Sequence, residues 1–86
     1  MDKTVTETLA INIEEVRKQN IKDLLGSVRE ALEERGYSAV SQISGYLISS
    51  DPAYISSYNN ARTTIQSVER HEIIEELVRS YLENNE

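Results

Sequence analysis

The fold is decided by residues 36–55, which read GYSAVSQISGYLISSDPAYI. The stretch opens on Gly36, the residue type that most readily ends a helix in the left-handed conformation. It closes on Asp51-Pro52, a capping residue followed by a residue favoured in the first turn of a helix. Between these signals, apolar residues recur at the three- and four-residue spacing of a helix face. We therefore predict a short helix here with Ser38 as its N-cap, flanked by two sharp changes of chain direction.

The segment before Gly36 predicts a longer amphipathic helix that starts at about Glu14. After Asn20 its apolar residues fall on one stripe, formed by Ile21, Leu24, Leu25, Val28 and Leu32. Gly26 lies within this helix and weakens it by about 1 kcal/mol relative to alanine. Either a close helix contact or a tolerant surface position accounts for a glycine there.

Residues 1–13 lack both the helical spacing of apolar residues and a turn signal, and we predict a flexible N-terminal arm. Its hydroxyl groups belong to Thr4, Thr6 and Thr8. In a flexible segment a kinase can reach such hydroxyls, and a phosphate would add about −1.5 to −2 charge. Composition alone favours the simpler interpretation that these are polar residues of an ordinary chain terminus.

A single turn at 52–55 and two helices are predicted after the central stretch. The first helix follows polar residues 57–60 and buries Ala61, Ile65 and Val68. In it Arg62, Gln66 and Arg70 would share one face, because they are four residues apart. The charged segment 69–72 bends or breaks the chain before the last helix. That helix carries a stripe formed by Ile73, Ile74, Leu77, Val78, Tyr81 and Leu82.

These elements form one all-α domain at residues 14–86, a compact bundle of about four to five short helices. The 86 residues contain no Pro- or Gly-rich linker and no internal repeat. A domain of this size buries only about 60% of the surface of its unfolded chain. Pairing with a second copy would supplement so small a core.

The charge balance argues against two classes of partner. The chain has 15 acidic and 9 basic residues and a formal net charge of −6, which repels nucleic-acid phosphates and anionic lipid headgroups. It has no apolar run long enough to span a bilayer and no signal-peptide pattern. With no cysteine, it fits a reducing compartment, and we expect a cytoplasmic protein.

No residue pattern predicts catalysis, a cofactor or a metal site. His71 is the single histidine and lacks the second histidine of a metalloprotease helix. Paired carboxylates such as Glu33-Glu34 and Glu75-Glu76 lie on solvated helix faces, whereas acid–base catalysis requires a partly desolvated pocket.

A helix-turn-helix DNA-binding regulator is the alternative. Residues 57–70 would be the recognition helix, with Asn59, Asn60, Arg62, Gln66 and Arg70 as its polar side chains. The flanking helices are acidic, which disfavours this alternative.

Eight short segments resemble one known family. They are ALEERGY (31–37), QI (42–43), GYL (45–47), DPAYI (51–55), NAR (60–62), ER (69–70), EIIEELV (72–78) and YL (81–82). Together they resemble the IreB/ReoM family of small regulatory phosphoproteins of Gram-positive bacteria. The resemblance covers residues 20–84 without a gap and includes Gly, Pro, Tyr and Arg positions as well as apolar ones.

The resemblance implies a non-enzymatic helical homodimer with a flexible N-terminal arm. A Ser/Thr kinase with PASTA domains would phosphorylate a threonine of that arm, and a partner phosphatase would remove the phosphate. Such proteins control peptidoglycan precursor synthesis and cell-wall antibiotic tolerance by promoting Clp-protease degradation of the enolpyruvyl transferase MurA until phosphorylation relieves this effect.

The resemblance also suggests site residues. Thr8 precedes a segment similar to the family's phosphorylation site, with Thr4 and Thr6 as further candidates. The family's basic positions on the later helices are kept at Arg62 and Arg70, which would bind a partner. Ser57 and Gln66 replace two others. Both arginines could pair with a partner's carboxylates or with the phosphothreonine. The alternative is a surface ion pair with Glu69 or Glu72.

Overall fold

All regular structure in the described part of the chain is helical. The computed structural model describes the backbone of residues 3–84 and the side chains of residues 13–84. It contains α1 (Lys3–Glu34), α2 (Ala39–Ser49), 3₁₀ turns at Pro52–Tyr54 and Tyr58–Asn60, α3 (Ala61–Ile65) and α4 (Arg70–Asn84). The predicted all-α class is confirmed.

Gly36 ends α1 as the sequence predicts. Its φ is 79°, in the left-handed region. The Tyr37 N–H donates to the Leu32 carbonyl at 3.0 Å, and the Gly36 N–H donates to the Glu33 carbonyl at 2.9 Å. These two bonds form a Schellman motif, which satisfies carbonyls that the helix end leaves unpaired.

Both ends of α2 are fixed by local hydrogen bonds. The Ser38 hydroxyl caps the first turn by accepting from the Ser41 N–H at 3.2 Å. At the other end Ser50 takes a left-handed conformation with φ 67°, which the sequence did not indicate. The Asp51 carboxylate then accepts from the Ala53 N–H at 2.9 Å and starts the single turn predicted at Pro52.

α1 begins earlier than the sequence pattern indicates. It starts at Lys3 rather than at about Glu14. The chain has no proline or glycine before Gly26, so nothing in this segment interrupts the helical hydrogen-bond ladder. The flexibility of residues 1–13 stays a prediction, and the side chains of residues 1–12 lie outside the described ones.

The helix predicted after the polar residues 57–60 ends before Val68 and Arg70, and this corrects the sequence analysis. Asn59 and Asn60 have φ of 51° and 64°, which separates the second 3₁₀ turn from α3. α3 has five residues and ends at Ile65. The Ser67 N–H and hydroxyl then bond to the Thr64 carbonyl at 3.1 and 2.7 Å, local bonds that compete with helix continuation.

The core lies where the second half of α1 meets α2, α3 and the start of α4. Its buried residues are Val28, Ala31, Leu32, Ala39, Tyr46, Ile55, Ala61, Ile65 and Ile73. The predicted stripe of α4 is only partly buried. Ile73 is fully buried, but Glu76 takes the next inward position, and Val78 and Leu82 remain 52% and 60% exposed.

No described helix combines the length and the apolar character needed to cross a membrane.

Candidate functional site

The side chains of Arg62 and Arg70 donate hydrogen bonds to backbone carbonyls, and the two residues do not lie on one helix face. The Arg62 Nε donates to the Ile55 carbonyl at 2.9 Å, and the Arg70 Nη1 donates to the Leu47 carbonyl at 2.8 Å. Because α3 ends before Arg70, the shared face with Gln66 is not formed. Each guanidinium nevertheless has five N–H donors, so donors remain for an outside carboxylate.

Arg70 joins two helix ends. It is the first residue of α4, and Leu47 lies in the last turn of α2, where carbonyls lack intrahelical partners and positive charge is favourable. The alternative for these arginines, an ion pair with Glu69 or Glu72, is not among the ion pairs of the described residues, and each arginine bonds to a carbonyl instead. The Glu72 Oε1 instead accepts from the Glu69 N–H at 3.2 Å, half of a capping box.

A second polar cluster joins the end of α1 to the second 3₁₀ turn. The Tyr58 hydroxyl donates to the Glu34 Oε2 at 2.9 Å, and the Arg35 guanidinium lies 4.4 Å from the centroid of the Tyr58 ring. The hydrogen bond to Glu34, its negative charge and burial raise the pKa of Tyr58 above its ordinary value, against the opposing charge of Arg35. Glu34 and Tyr58 are 24 residues apart, and helical spacing predicts no contact over that separation.

An apolar groove of about 400 Å³, here called the α1–α2 groove, opens between these two helices. Its apolar lining is formed by Leu25, Ala39, Val40, Ile43, Leu47 and Leu77. Its rim carries Arg29 and Glu33, whose side chains pair at 3.1 Å. Val40 is 78% exposed, so the groove continues onto the outer surface of α2.

The exposed side of α4 extends this apolar surface. We call it the α4 stripe, and it consists of Ile74, Leu77, Val78, Tyr81 and Leu82, which are 39% to 68% exposed. Leu77 belongs to both the stripe and the α1–α2 groove. A continuous exposed apolar surface on a small protein is typical of a protein-binding site.

A polar cleft of about 350 Å³ separates the first half of α1 from α4. Glu14, Arg17 and Lys18 line one side, and the α4 side includes His71, Glu76 and Arg79. Glu76 is only 5% exposed, and its Oε1 accepts from the Arg79 Nη1 at 2.7 Å. The cleft carries both signs of charge, and no group of three or more His, Cys, Asp or Glu among the described residues could hold a metal ion.

The predicted phosphorylation residues lie in α1. Thr4, Thr6 and Thr8 fall within the helix that begins at Lys3, but their side chains lie outside the described residues. Their accessibility therefore stays a prediction. The recognition helix required by the DNA-binding alternative is not formed, since residues 57–70 are divided into a 3₁₀ turn, α3 and the start of α4.

A comparison with protein families agrees with the resemblance. The model of the IreB regulatory phosphoprotein family matches residues 6–83. The match includes Thr6, Thr8, Arg62 and Arg70 and leaves Thr4 outside. Because it spans nearly the whole chain, the chain belongs to the IreB regulatory phosphoprotein family.

Proposed function

We propose that this protein is a non-enzymatic phosphoswitch, modified on an N-terminal threonine by a Ser/Thr kinase with PASTA domains and restored by a partner phosphatase. The match of the IreB family over residues 6–83 carries the proposal. Thr8 is the first candidate for the modified residue, followed by Thr6 and Thr4.

The controlled process is peptidoglycan precursor synthesis in the cytoplasm. In its unmodified form the protein would promote degradation of the enolpyruvyl transferase MurA by Clp protease, and phosphorylation would relieve this effect. Cell-wall antibiotic tolerance would follow. Arg62 and Arg70 are candidate contacts for these partners, because each retains guanidinium donors after bonding to its carbonyl.

We further propose that two copies associate through the α4 stripe and the α1–α2 groove. The two apolar surfaces meet at Leu77, so one copy can present a ridge and a recess to the other. A symmetric dimer uses such self-complementary surfaces. Association would bury the apolar residues that the small core leaves exposed.

The phosphorylation proposal is tested by incubating the full chain with the kinase domain and ATP, followed by intact-mass and peptide mass spectrometry. We expect one phosphate, located on Thr8, and loss of that phosphate in Thr8→Ala. Thr63→Ala is the matched control, because Thr63 is an exposed threonine on the folded domain. It should leave the phosphate in place.

A chain whose three N-terminal threonines all stay unmodified would contradict the switch. Retention of the protein on duplex DNA, weakened by salt, would instead support the DNA-binding alternative.

A further inference from the structure

The two halves of α1 have different surroundings. From residue 21 onwards the helix packs on the core through Ile21, Val28, Ala31 and Leu32. Over residues 13–20 no side chain is buried, and Ile13 and Val16 are 54% and 55% exposed. The described part of α1 before Ile21 is therefore a helix without a packed apolar face.

The N-terminal half of α1 comprises residues 3–20, and in its described part, residues 13–20, the side-chain ion pairs are local ones. Two ion pairs join exposed side chains, Glu14 to Arg17 at 3.8 Å and Glu15 to Lys18 at 3.7 Å. Six of the ten residues 4–13 are β-branched, and such residues have low helix propensity. Because short helices without tertiary packing are marginal in water, small changes in charge can decide whether this half is helical.

The sequence around Thr8 gives a phosphate nothing to pair with. The positions three and four residues away are Thr4, Val5, Ile11 and Asn12, none of them basic, and Glu7 is adjacent. The nearest basic residue before Thr8 is Lys3, five residues away and off the i−3 and i−4 positions, and the next ones after it, Arg17 and Lys18, pair with glutamates. A phosphate on Thr8 would therefore add negative charge next to Glu7, with no basic residue one helical turn away, in a marginal helix.

While α1 stays helical, its length separates Thr8 from the half of the helix that packs on α3. α1 packs on the core at Val28, and the twenty residues from Thr8 to Val28 span about 30 Å of helix. Arg62 lies on α3 beside that packed half and is bonded to the Ile55 carbonyl. In the helical state the phosphate therefore acts first on α1 itself.

We propose that phosphorylation of Thr8 unwinds the N-terminal half of α1, so that the helix then starts near Glu14. This inference rests on the proposed function, which makes Thr8 the kinase target. The modification changes the N-terminal half of α1 from a helix to an extended segment, and a partner protein binds the two conformations differently. The same modification on Thr4 has a different effect, because Thr4 lies in the first helical turn, where negative charge is favourable.

The test measures helix content by NMR Cα chemical shifts in the full-length chain, with phosphothreonine installed by semisynthesis. With phosphothreonine at Thr8, the helical population of residues 4–13 should fall about two- to fivefold. With phosphothreonine at Thr4, the matched control, it should be unchanged or higher. Residues 21–34 should keep their helical shifts in both proteins, because they are packed on the core.

Unchanged helix content with phosphothreonine at Thr8 would overturn the inference. An equal loss with phosphothreonine at Thr4 would also overturn it, because unwinding would then not depend on position. The outcome is independent of the proposed function, since the phosphate is placed without a kinase. A kinase that modifies none of Thr8, Thr6 and Thr4 would contradict the proposed function and leave this measurement unaffected.

Discussion

The two glycines within helices have different local environments. A Cβ at Gly26 would meet no atom within 4 Å, so Gly26 is the tolerant surface position and not a helix contact. A Cβ at Gly45 would lie 2.5 Å from the Tyr54 Cδ1. A glycine in a helix permits close approach of a neighbouring group, and at Gly45 that group is the ring of Tyr54.

We predict opposite effects of alanine at these glycines. Gly26→Ala should raise the free energy of unfolding by about 0.5–1 kcal/mol, because alanine has the higher helix propensity. Gly45→Ala should lower it, since overpacking typically costs about 1–3 kcal/mol and exceeds the same propensity gain. Urea denaturation measures both. Adding Tyr54→Ala to Gly45→Ala should recover part of the loss, and the absence of recovery would show that the clash with the Tyr54 ring is not its cause.

Tyr58 makes the free energy of unfolding depend on pH in the alkaline range. Its folded pKa lies above the ordinary value of about 10, chiefly because its neutral hydroxyl donates to Glu34. The stabilisation is therefore complete below the unfolded pKa and is lost as pH rises through the folded pKa. We expect the free energy of unfolding to fall above about pH 10 and to fall less steeply in Tyr58→Phe. Identical slopes in the two proteins would show that Tyr58 is not responsible.

At the residue scale, the sequence predicts what depends on near neighbours. Ser38, Gly36 and Asp51 act within three or four residues of their own positions, so their residue types are sufficient. The bond from Tyr58 to Glu34 depends on how α1 and the second 3₁₀ turn are brought together. Its geometry exists only once the tertiary fold is formed.

At the scale of elements, Arg70 couples the end of α2 to the start of α4. We predict that Arg70→Ala lowers the free energy of unfolding by about 1–2 kcal/mol, because it removes a charged donor and leaves the Leu47 carbonyl without this partner. Arg17→Ala is the matched control, since it removes an exposed ion pair with Glu14, worth about 0.2–0.5 kcal/mol, outside the α4 stripe and the α1–α2 groove.

The two arginine variants are compared by urea denaturation under the same conditions. Equal losses would contradict the coupling role of Arg70. A larger loss in Arg70→Ala also means that any defect of this variant in partner binding must be compared at matched folded fractions.

The α3 segment shows where helical periodicity misleads. Ala61, Ile65 and Val68 keep the spacing of a buried face, and Ala61 and Ile65 are buried as predicted. The helix nevertheless ends at Ile65, because Ser67 bonds back to the Thr64 carbonyl. Apolar spacing identifies the inward residues, but competing side-chain hydrogen bonds decide where the helix stops.

At the scale of the whole molecule, one copy of the chain leaves several large apolar side chains exposed. The sequence predicts an inward stripe along all of α4, but the second half of this helix extends past the core, and Val78 and Leu82 remain exposed. A one-chain prediction assigns every apolar residue of a stripe to the interior. It cannot separate a core residue from one that a second chain covers.

The proposed dimer gives the last prediction. Val78→Glu places a charge at the centre of the α4 stripe and should raise the dissociation constant at least about tenfold, because burying that charge without a partner is unfavourable. Ile13→Glu is the matched control, since Ile13 is 54% exposed and Val78 52%, and Ile13 lies outside the stripe and the α1–α2 groove. Sedimentation equilibrium over a range of concentrations measures both variants.

A dimer also links stability to concentration, so the melting temperature of the unsubstituted protein should rise with concentration and that of Val78→Glu should not. If all three proteins sediment as monomers, the surface belongs to a different partner, and if both substitutions weaken association equally, the interface extends beyond the α4 stripe.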